Sequence, residues 1–286
     1  MSIEQRVLKY ENYLITAGIR TSRDNEYQLI REKLAGRTVI LDIDDFLFEN
    51  TADRAFSILA YIFQLTADQL DRVRPYYYDP ATCPVWKEIG IDPGLVPRII
   101  RSIYQIPGLH FALDPNPEAK ATLGKIDCMG ARITYCTSRR GDDQAMRPFL
   151  HKETEAAILN AEFPRGQIYS MANDIAHGYC DSNTSSLNWK LATARKLGAD
   201  FIGDDDIRVC LAATEVGLRS VLLAAPHNHP KVSGLEIINE TNVRIPAGMR
   251  VISSLRSLPS ALMSLEYETN LHDESMSRSI DLNTWQ

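Results

Sequence analysis

The sequence predicts an α/β protein: a Rossmann-like core with a parallel sheet and helices on both faces, plus a small helical cap inserted after the first core strand. Three observations lead there. Short apolar, β-branched runs alternate with helical stretches along most of the chain, and right-handed crossovers fold such a pattern into a parallel sheet covered on both faces. Three of the apolar runs end in polar clusters, at 42–45, 137–140 and 204–206, and ligands of open parallel sheets sit at the carboxyl ends of strands. Residues 47–115, between the first two runs, are too many for a simple crossover.

Residues 3–35 read as one or two polar helices, a 1–35 extension ahead of the core. The first core strand spans 38–43, Thr-Val-Ile-Leu-Asp-Ile. From 53 to about 105 the pattern is helical, broken at Pro75, Asp79-Pro80, Cys83-Pro84 and Asp92-Pro93-Gly94. Asp114-Pro115-Asn116-Pro117 is a loop, followed by a helix over 118–129 that Gly130 ends. A second buried strand covers 131–136, a helix roughly 143–161, and a short strand 167–170. Another helix at 188–197 stops at Gly198, and a third buried strand at 200–202 runs into Gly203-Asp204-Asp205-Asp206. A helix over 209–216, ended by Gly217, and a strand at 220–224 complete the pattern. The expected units are a core of 36–46 and 116–265, a cap of 47–115, and a polar tail over 266–286.

Composition excludes several classes. With 286 residues, 44% of them hydrophobic, the chain is too apolar for disorder and long enough for one large core with a satellite. A net charge of −6 argues against broad adhesion to nucleic acid or membrane. No apolar run reaches the length of a membrane span. The start, Met-Ser-Ile-Glu-Gln-Arg, lacks a signal-peptide pattern. The five cysteines are scattered without a CxxC pair, which fits reduced thiols. The expected location is cytoplasmic.

The carboxylates carry the chemistry. Asp42 and Asp44 lie two apart at a strand end, so a regular strand sends both to one face. Crowded carboxylates repel unless a cation or a proton relieves them. Such a cluster invites a hard divalent ion, and Mg²⁺ is the usual one beside phosphates. One aspartate can then attack phosphorus while another handles the leaving-group proton.

Taken together, these motifs resemble the haloacid dehalogenase superfamily of phosphohydrolases over roughly residues 36–262. Its DxD motif matches Val39-Ile40-Leu41-Asp42-Ile43-Asp44, its strand ending in Thr or Ser matches Ile133-Thr134-Tyr135-Cys136-Thr137, and its strand ending GD matches Phe201-Ile202-Gly203-Asp204-Asp205. Its upstream lysine is best matched by Lys190, with Lys152 and Lys196 as alternatives. The resemblance implies that Asp42 is the nucleophile and Asp44 the acid and base. Crowding by Asp42, Asp45 and Asp204 would tune Asp44. Thr137, with Ser138 beside it, would meet the phosphoryl group, and Lys190 would offset the carboxylates. From their positions alone, Thr137 can also cap the next helix, and Arg139 can reach a substrate phosphate or leaving group or form a helix-entry ion pair. Mg²⁺ would be held by Asp42, the backbone carbonyl of Asp44, Asp204 and Asp205.

Three positions depart from the pattern. Asp45 stands where Gly or Glu is frequent, Phe46 where Thr or Val is common, and Arg208 and Val209 where another Asp or Asn is usual. Asp205 or Asp206 can replace that missing carboxylate, and the other then caps the next helix. If neither replaces it, the chain becomes a catalytically weakened binding or regulatory protein of the same fold.

The cap holds interleaved cations and aromatics, Arg72, Arg74, Tyr76, Tyr77, Tyr78, Trp86, Lys87, Arg98, Arg101 and Tyr104. Arg74 and Tyr77 are the candidate substrate contacts there, while Trp86 and Tyr104 read as cap core. The segment Ala224-Ala225-Pro226-His227-Asn228 resembles a turn of the deoxyribonucleotidase-like branch. His227 and His229 read as loop residues. The expected partner is a small phosphorylated substrate, nucleotide-like, with an oligonucleotide end as a further option and no membrane.

Overall fold

The computed structural model describes residues 34–49, 51–76, 80–106, 108, 114–224 and 245–266. The stretch expected to form N-terminal helices (up to residue 33), Tyr77 and Tyr78, the segment with His227 and His229, and residues from 267 lie outside the described residues.

Six strands form one all-parallel sheet: β1 (Thr38–Asp42), β4 (Arg132–Thr137), β5 (Gln167–Ser170), β6 (Phe201–Asp204), β7 (Arg219–Leu223) and β8 (Met249–Ile252), in the order β5-β4-β1-β6-β7-β8. The chain enters at the centre, adds β4 and β5 on one side, then returns to add β6, β7 and β8 on the other. The crevice between such oppositely directed excursions is where an open parallel sheet binds ligand. Register fixes its lip: Asp42 pairs with Cys136 and Leu41 with Gly203, so Asp42, Thr137 and Asp204 end three neighbouring strands at nearly one level.

The strands read as unbroken apolar runs because both faces are buried. Val39 and Leu41 face one layer, with Tyr135, Phe201, Leu123 and Ile126 of helix α5 (Ala119–Cys128), Ile158 of α6 (Arg147–Asn160), and Leu258 and Leu262 of the helix at 258–266. Ile40 and Ile202 face the other. There Met171 of α7 (Met171–Ala176), Trp189 and Ala194 of α8 (Ser186–Lys196), and Val209 and Ala213 of α9 (Ile207–Glu215) cover them.

The segment between β1 and β4 leaves the sheet through a two-stranded antiparallel ribbon, β2 (Phe48–Glu49) with β3 (Asp114–Pro115). Beyond it, α1 (Thr51–Phe63), α2 (Ala67–Val73), α3 (Val85–Glu88) and α4 (Val96–Ile103) close on a core of their own. Phe56, Leu59, Val73 and Trp86 are buried in it, and the Trp86 indole donates to Pro80 O at 2.7 Å. Thr66 and Gln69 cap α2 reciprocally. No helix among the described residues is long and apolar enough to cross a membrane.

Two sequence departures find physical reasons here. After β1 the chain folds back at once, with Leu47 N and Phe48 N both donating to Ile43 O. Asp45 takes the left-handed conformation this turn needs, φ +57°, which aspartate tolerates better than most side chains. Its carboxylate accepts from Ala52 N at 3.0 and 3.2 Å, which anchors the start of α1. Phe46, fully buried, lies over Gly203. A Cβ there would meet Phe46 Cζ at 2.7 Å and Leu41 Cδ2 at 2.9 Å.

Gly203→Ala should therefore lower the unfolding free energy by about 1–3 kcal/mol through overpacking. Combined with Phe46→Leu, the loss should be smaller than the sum of the two single losses, because the shorter side chain vacates the space the methyl needs. Denaturant titration of the four proteins reads both quantities, and strict additivity would mean that Phe46 and Gly203 do not share this space.

Candidate active site

The carboxyl ends of β1, β4 and β6 deliver Asp42, Thr137 and Asp204 into a cavity of about 390 Å³. Its floor holds two separate ion-pair systems. In the first, Lys190 Nζ lies 2.7 Å from Asp42 Oδ1 and 2.7 Å from Asp204 Oδ2, and all three groups are buried. Ser185 positions the lysine: its hydroxyl caps α8 by accepting from Asn188 N at 3.1 Å, and Lys190 projects from the second turn of that helix. Asp205 completes the cluster. One oxygen each from Asp42, Asp204 and Asp205 lie within 4.8 Å of one another.

In the second system, Arg139 Nε donates to Asp44 Oδ2 at 2.9 Å, and Arg139 Nη2 pairs closely with Asp44 Oδ1. Thr137 Oγ1 donates to the same Asp44 Oδ2 at 3.1 Å and accepts from Arg139 N at 3.3 Å. Arg139 Nη1 reaches the hydroxyl of Thr154 on α6 at 3.3 Å. Besides the repulsion from Asp42 expected from the sequence, Asp44 thus meets a guanidinium and a hydroxyl that the sequence did not announce. β1 ends at Asp42, and the turn that follows aims Asp44 towards β4 while Asp42 aims towards β6.

The crowding falls on Asp42 and Asp204. Burial raises the pKa of Asp42 well above the carboxylate range, and Asp204, Asp205 and Asp44 add to it against the pull of Lys190. Asp204 is pushed up to about 7, by burial first and then by Asp205 and Asp206. Burial alone would lower Lys190, yet Asp204, Asp42 and Asp205 raise it well above its ordinary value, so it stays charged. Burial also pushes up the Cys136 thiol beside Asp42, which keeps it protonated. The three carboxylates, gathered around one ammonium, place hard oxygen donors within 4.8 Å of one another. Those residues fit a divalent cation.

Asp205 and Asp206 divide as their sequence neighbourhood allows. Asp206 is the N-cap of α9, its carboxylate accepting from Arg208 N at 2.9 Å, and Arg208 pairs back onto it. Asp205 is the one that joins Asp42 and Asp204.

Ser138 and Arg139 both line the cavity. Arg74 does not: it lines a neighbouring cavity of about 520 Å³ and pairs with Asp71 at 2.9 Å. Tyr77 lies outside the described residues. Tyr104 packs on the cap core and also lines the Asp42 cavity, together with Ile100, Arg101 and Gln105 of the same stretch. Arg140, to which the motifs assign no role, lines it too; its position directly after Arg139 at a strand end was the available signal.

No family model and no curated protein matches the sequence. Solved structures do match in fold. A predicted phosphatase from Clostridium acetobutylicum aligns with a TM-score of 0.52 at 13% identity, over 80% of this chain and 99% of that one. A HAD family hydrolase from Deinococcus radiodurans R1, solved with bound phosphate and sodium, aligns with a TM-score of 0.51 at 14% identity, over 81% of this chain and 97% of that one. The fold is therefore the Rossmann-like α/β fold of haloacid dehalogenase-type hydrolases.

The charge balance has a measurable consequence. Asp204, ordinarily near 3.8, binds its proton more tightly folded than unfolded, and Asp42 shifts the same way. The folded state therefore holds excess protons between about pH 4 and 7, and stability falls as pH rises through that window. Lys190 stays charged throughout it and adds no slope. In chelator, raising the pH from 5 to 8 should lower the unfolding free energy by about 2–4 kcal/mol on this account, and Asp204→Asn should flatten the decline. An undiminished slope in that variant would place its origin elsewhere.

Proposed function

We propose that this protein is a phosphomonoester hydrolase that works through an aspartyl-phosphate. The observation that carries the reading is Asp42: a strand-end carboxylate on the floor of a cavity, held by Lys190 and flanked by Asp204 and Asp205. Asp42 Oδ attacks phosphorus, forming the acyl phosphate as the ester oxygen departs. Asp44 gives that oxygen a proton, then takes one from the water that hydrolyses the acyl phosphate. Thr137 and Ser138 hold phosphoryl oxygens.

Arg139 must release Asp44 before that carboxyl can carry a proton, since both its oxygens are engaged. An incoming phosphoryl group is the anion that draws the guanidinium away. Arg139 thus serves two anions in turn, the Asp44 carboxylate and the phosphoryl group of the substrate. Asp42, Asp204 and Asp205, with the Asp44 carbonyl as the resemblance implies, would hold Mg²⁺, which neutralises charge on the phosphoryl oxygens when bound. The cap above the crevice excludes water and sets the substrate. Asp205 supplies the carboxylate that Arg208 and Val209 do not, which favours an enzyme over a weakened binding protein. The substrate is a small phosphate ester; a nucleotide remains the first class to try because of the Ala224–Asn228 resemblance.

Phosphate release from nucleoside monophosphates, sugar phosphates and 3′-phosphorylated oligonucleotides, with and without Mg²⁺, tests this. Asp42→Asn should abolish Mg²⁺-dependent release, by at least about 10³-fold, while the melting transition persists. Undiminished turnover in Asp42→Asn would refute the mechanism.

A further inference from the structure

We propose that Arg101 and Arg140 form a subsite for a second anionic group, a phosphate or carboxylate, carried on the leaving-group side of the substrate; the identity of that substrate as a phosphate ester rests on the reading above. Five cationic side chains among the described residues line the cavity. Lys190 is paired with Asp42 and Asp204, Arg139 with Asp44, and Arg208 with Asp206. Arg101, on α4 of the cap, forms no ion pair among the described residues. Arg140, on the loop after β4, donates from Nη1 to Ser182 O at 3.2 Å and from Nη2 to Thr184 O at 2.9 Å. Those two carbonyls fix its guanidinium without neutralising it. Asp142 acts on Arg140 from beyond ion-pair distance.

Both guanidiniums line the one cavity, one carried by α4 and one by the loop after β4, and Arg140 is shifted downward by burial and then by Arg101. Gln105 holds this arrangement. One turn after Arg101, its Oε1 accepts from Asp142 N at 3.0 Å and its Nε2 donates back to Arg101 O at 3.3 Å, tying the end of α4 to the loop that carries Arg140. Two like charges drawn into one partly desolvated cavity repel. An anion between them turns that repulsion into two charge-assisted contacts, and planar guanidiniums suit phosphate and carboxylate alike. A cavity of about 390 Å³ is large enough for a small ester with a second charged end.

Three matched probes test the proposal: 3-hydroxypropyl phosphate, 3-phosphonooxypropanoate and propane-1,3-diol bisphosphate. Phosphate release gives kcat/KM for each, and calorimetry gives binding to the full-length Asp42→Asn protein, with and without Arg101→Ala or Arg140→Ala added. The wild type should favour the two probes with a second anion by at least tenfold in kcat/KM, mostly through KM, and the ratio should collapse towards one in Arg101→Ala and in Arg140→Ala. Arg101→Lys should keep part of it, and the same preference should appear in binding. The relative strength of the two anionic probes says which group the subsite takes. Turnover of all three probes at similar rates would overturn the subsite and leave the phosphatase reading standing. A binding preference that needs both arginines, without turnover, would do the reverse. Variants that weaken all probes alike would overturn the subsite as well.

Discussion

Everything at the crevice depends on one buried ammonium. Lys190 sits 2.7 Å from two carboxylates and beside a third, and removing so many charges from water is costly unless they are mutually compensated. The fold supplies that compensation geometrically. Parallel register brings the ends of β1 and β6 level, so Asp42 and Asp204 flank one point, and the Ser185 cap starts α8 where its second turn reaches that point. Phe46 packs against the only residue type on β6 that leaves it room. Had β6 shifted by one residue, Asp204 would face the opposite layer and Lys190 would lose a partner.

The division of the acidic groups into two ion-pair systems gives the two central aspartates different surroundings. Asp42 is buried and shares a lysine with other carboxylates, and burial and those carboxylates together raise its pKa. Asp44 instead meets a guanidinium and a hydroxyl. Two carboxylates two residues apart thereby acquire unlike environments, the difference that the proposed roles of nucleophile and proton carrier call for. The same turn couples the segment between β1 and β4 to these carboxylates. Asp45 anchors α1 through Ala52 N, and Glu153, next to the Thr154 that touches Arg139, accepts from Gly108 N on the return path from the cap.

The core was legible in the sequence because strands buried on both faces must be apolar throughout, and their ends show where polarity resumes. β1, β4, β5, β6 and β7 fall within one or two residues of the runs that mark them. β8 was not legible. Met249-Arg250-Val251-Ile252 is a short edge strand whose Arg250 interrupts the run, and only pairing with β7 makes it a strand. Helix α7 is too short to show a period. The choice of Lys190 over Lys152 and Lys196 had no local signature either: all three are helical, and only tertiary placement buries one of them. The Asp44–Arg139 pair spans ninety-five positions and depends on how a turn after β1 aims one carboxylate. Arg74 reads like any cationic cap residue, and nothing local shows that Asp71, three positions before it, takes it up.

The run Asp204-Asp205-Asp206 shows how three consecutive aspartates divide between a buried cluster and a helix cap. Its three members share a type and differ in backbone position. Asp204 closes β6 and faces Lys190; Asp205 stands one residue past the strand end and joins the cluster; Asp206 takes an extended conformation and caps α9. Asp206 N in turn donates to Asp204 Oδ1 at 2.9 Å, so the capping residue's backbone orients the carboxylate two positions before it. Arg208, which occupies the place where a carboxylate would otherwise be expected, pairs with Asp206 and holds the cap in position. A second acidic residue at 208 would repel Asp206 at the helix entry, whereas an arginine there lets three consecutive aspartates stand together. The departure at 208 is therefore the counterpart of the acidic run before it, and the two are best read as one arrangement.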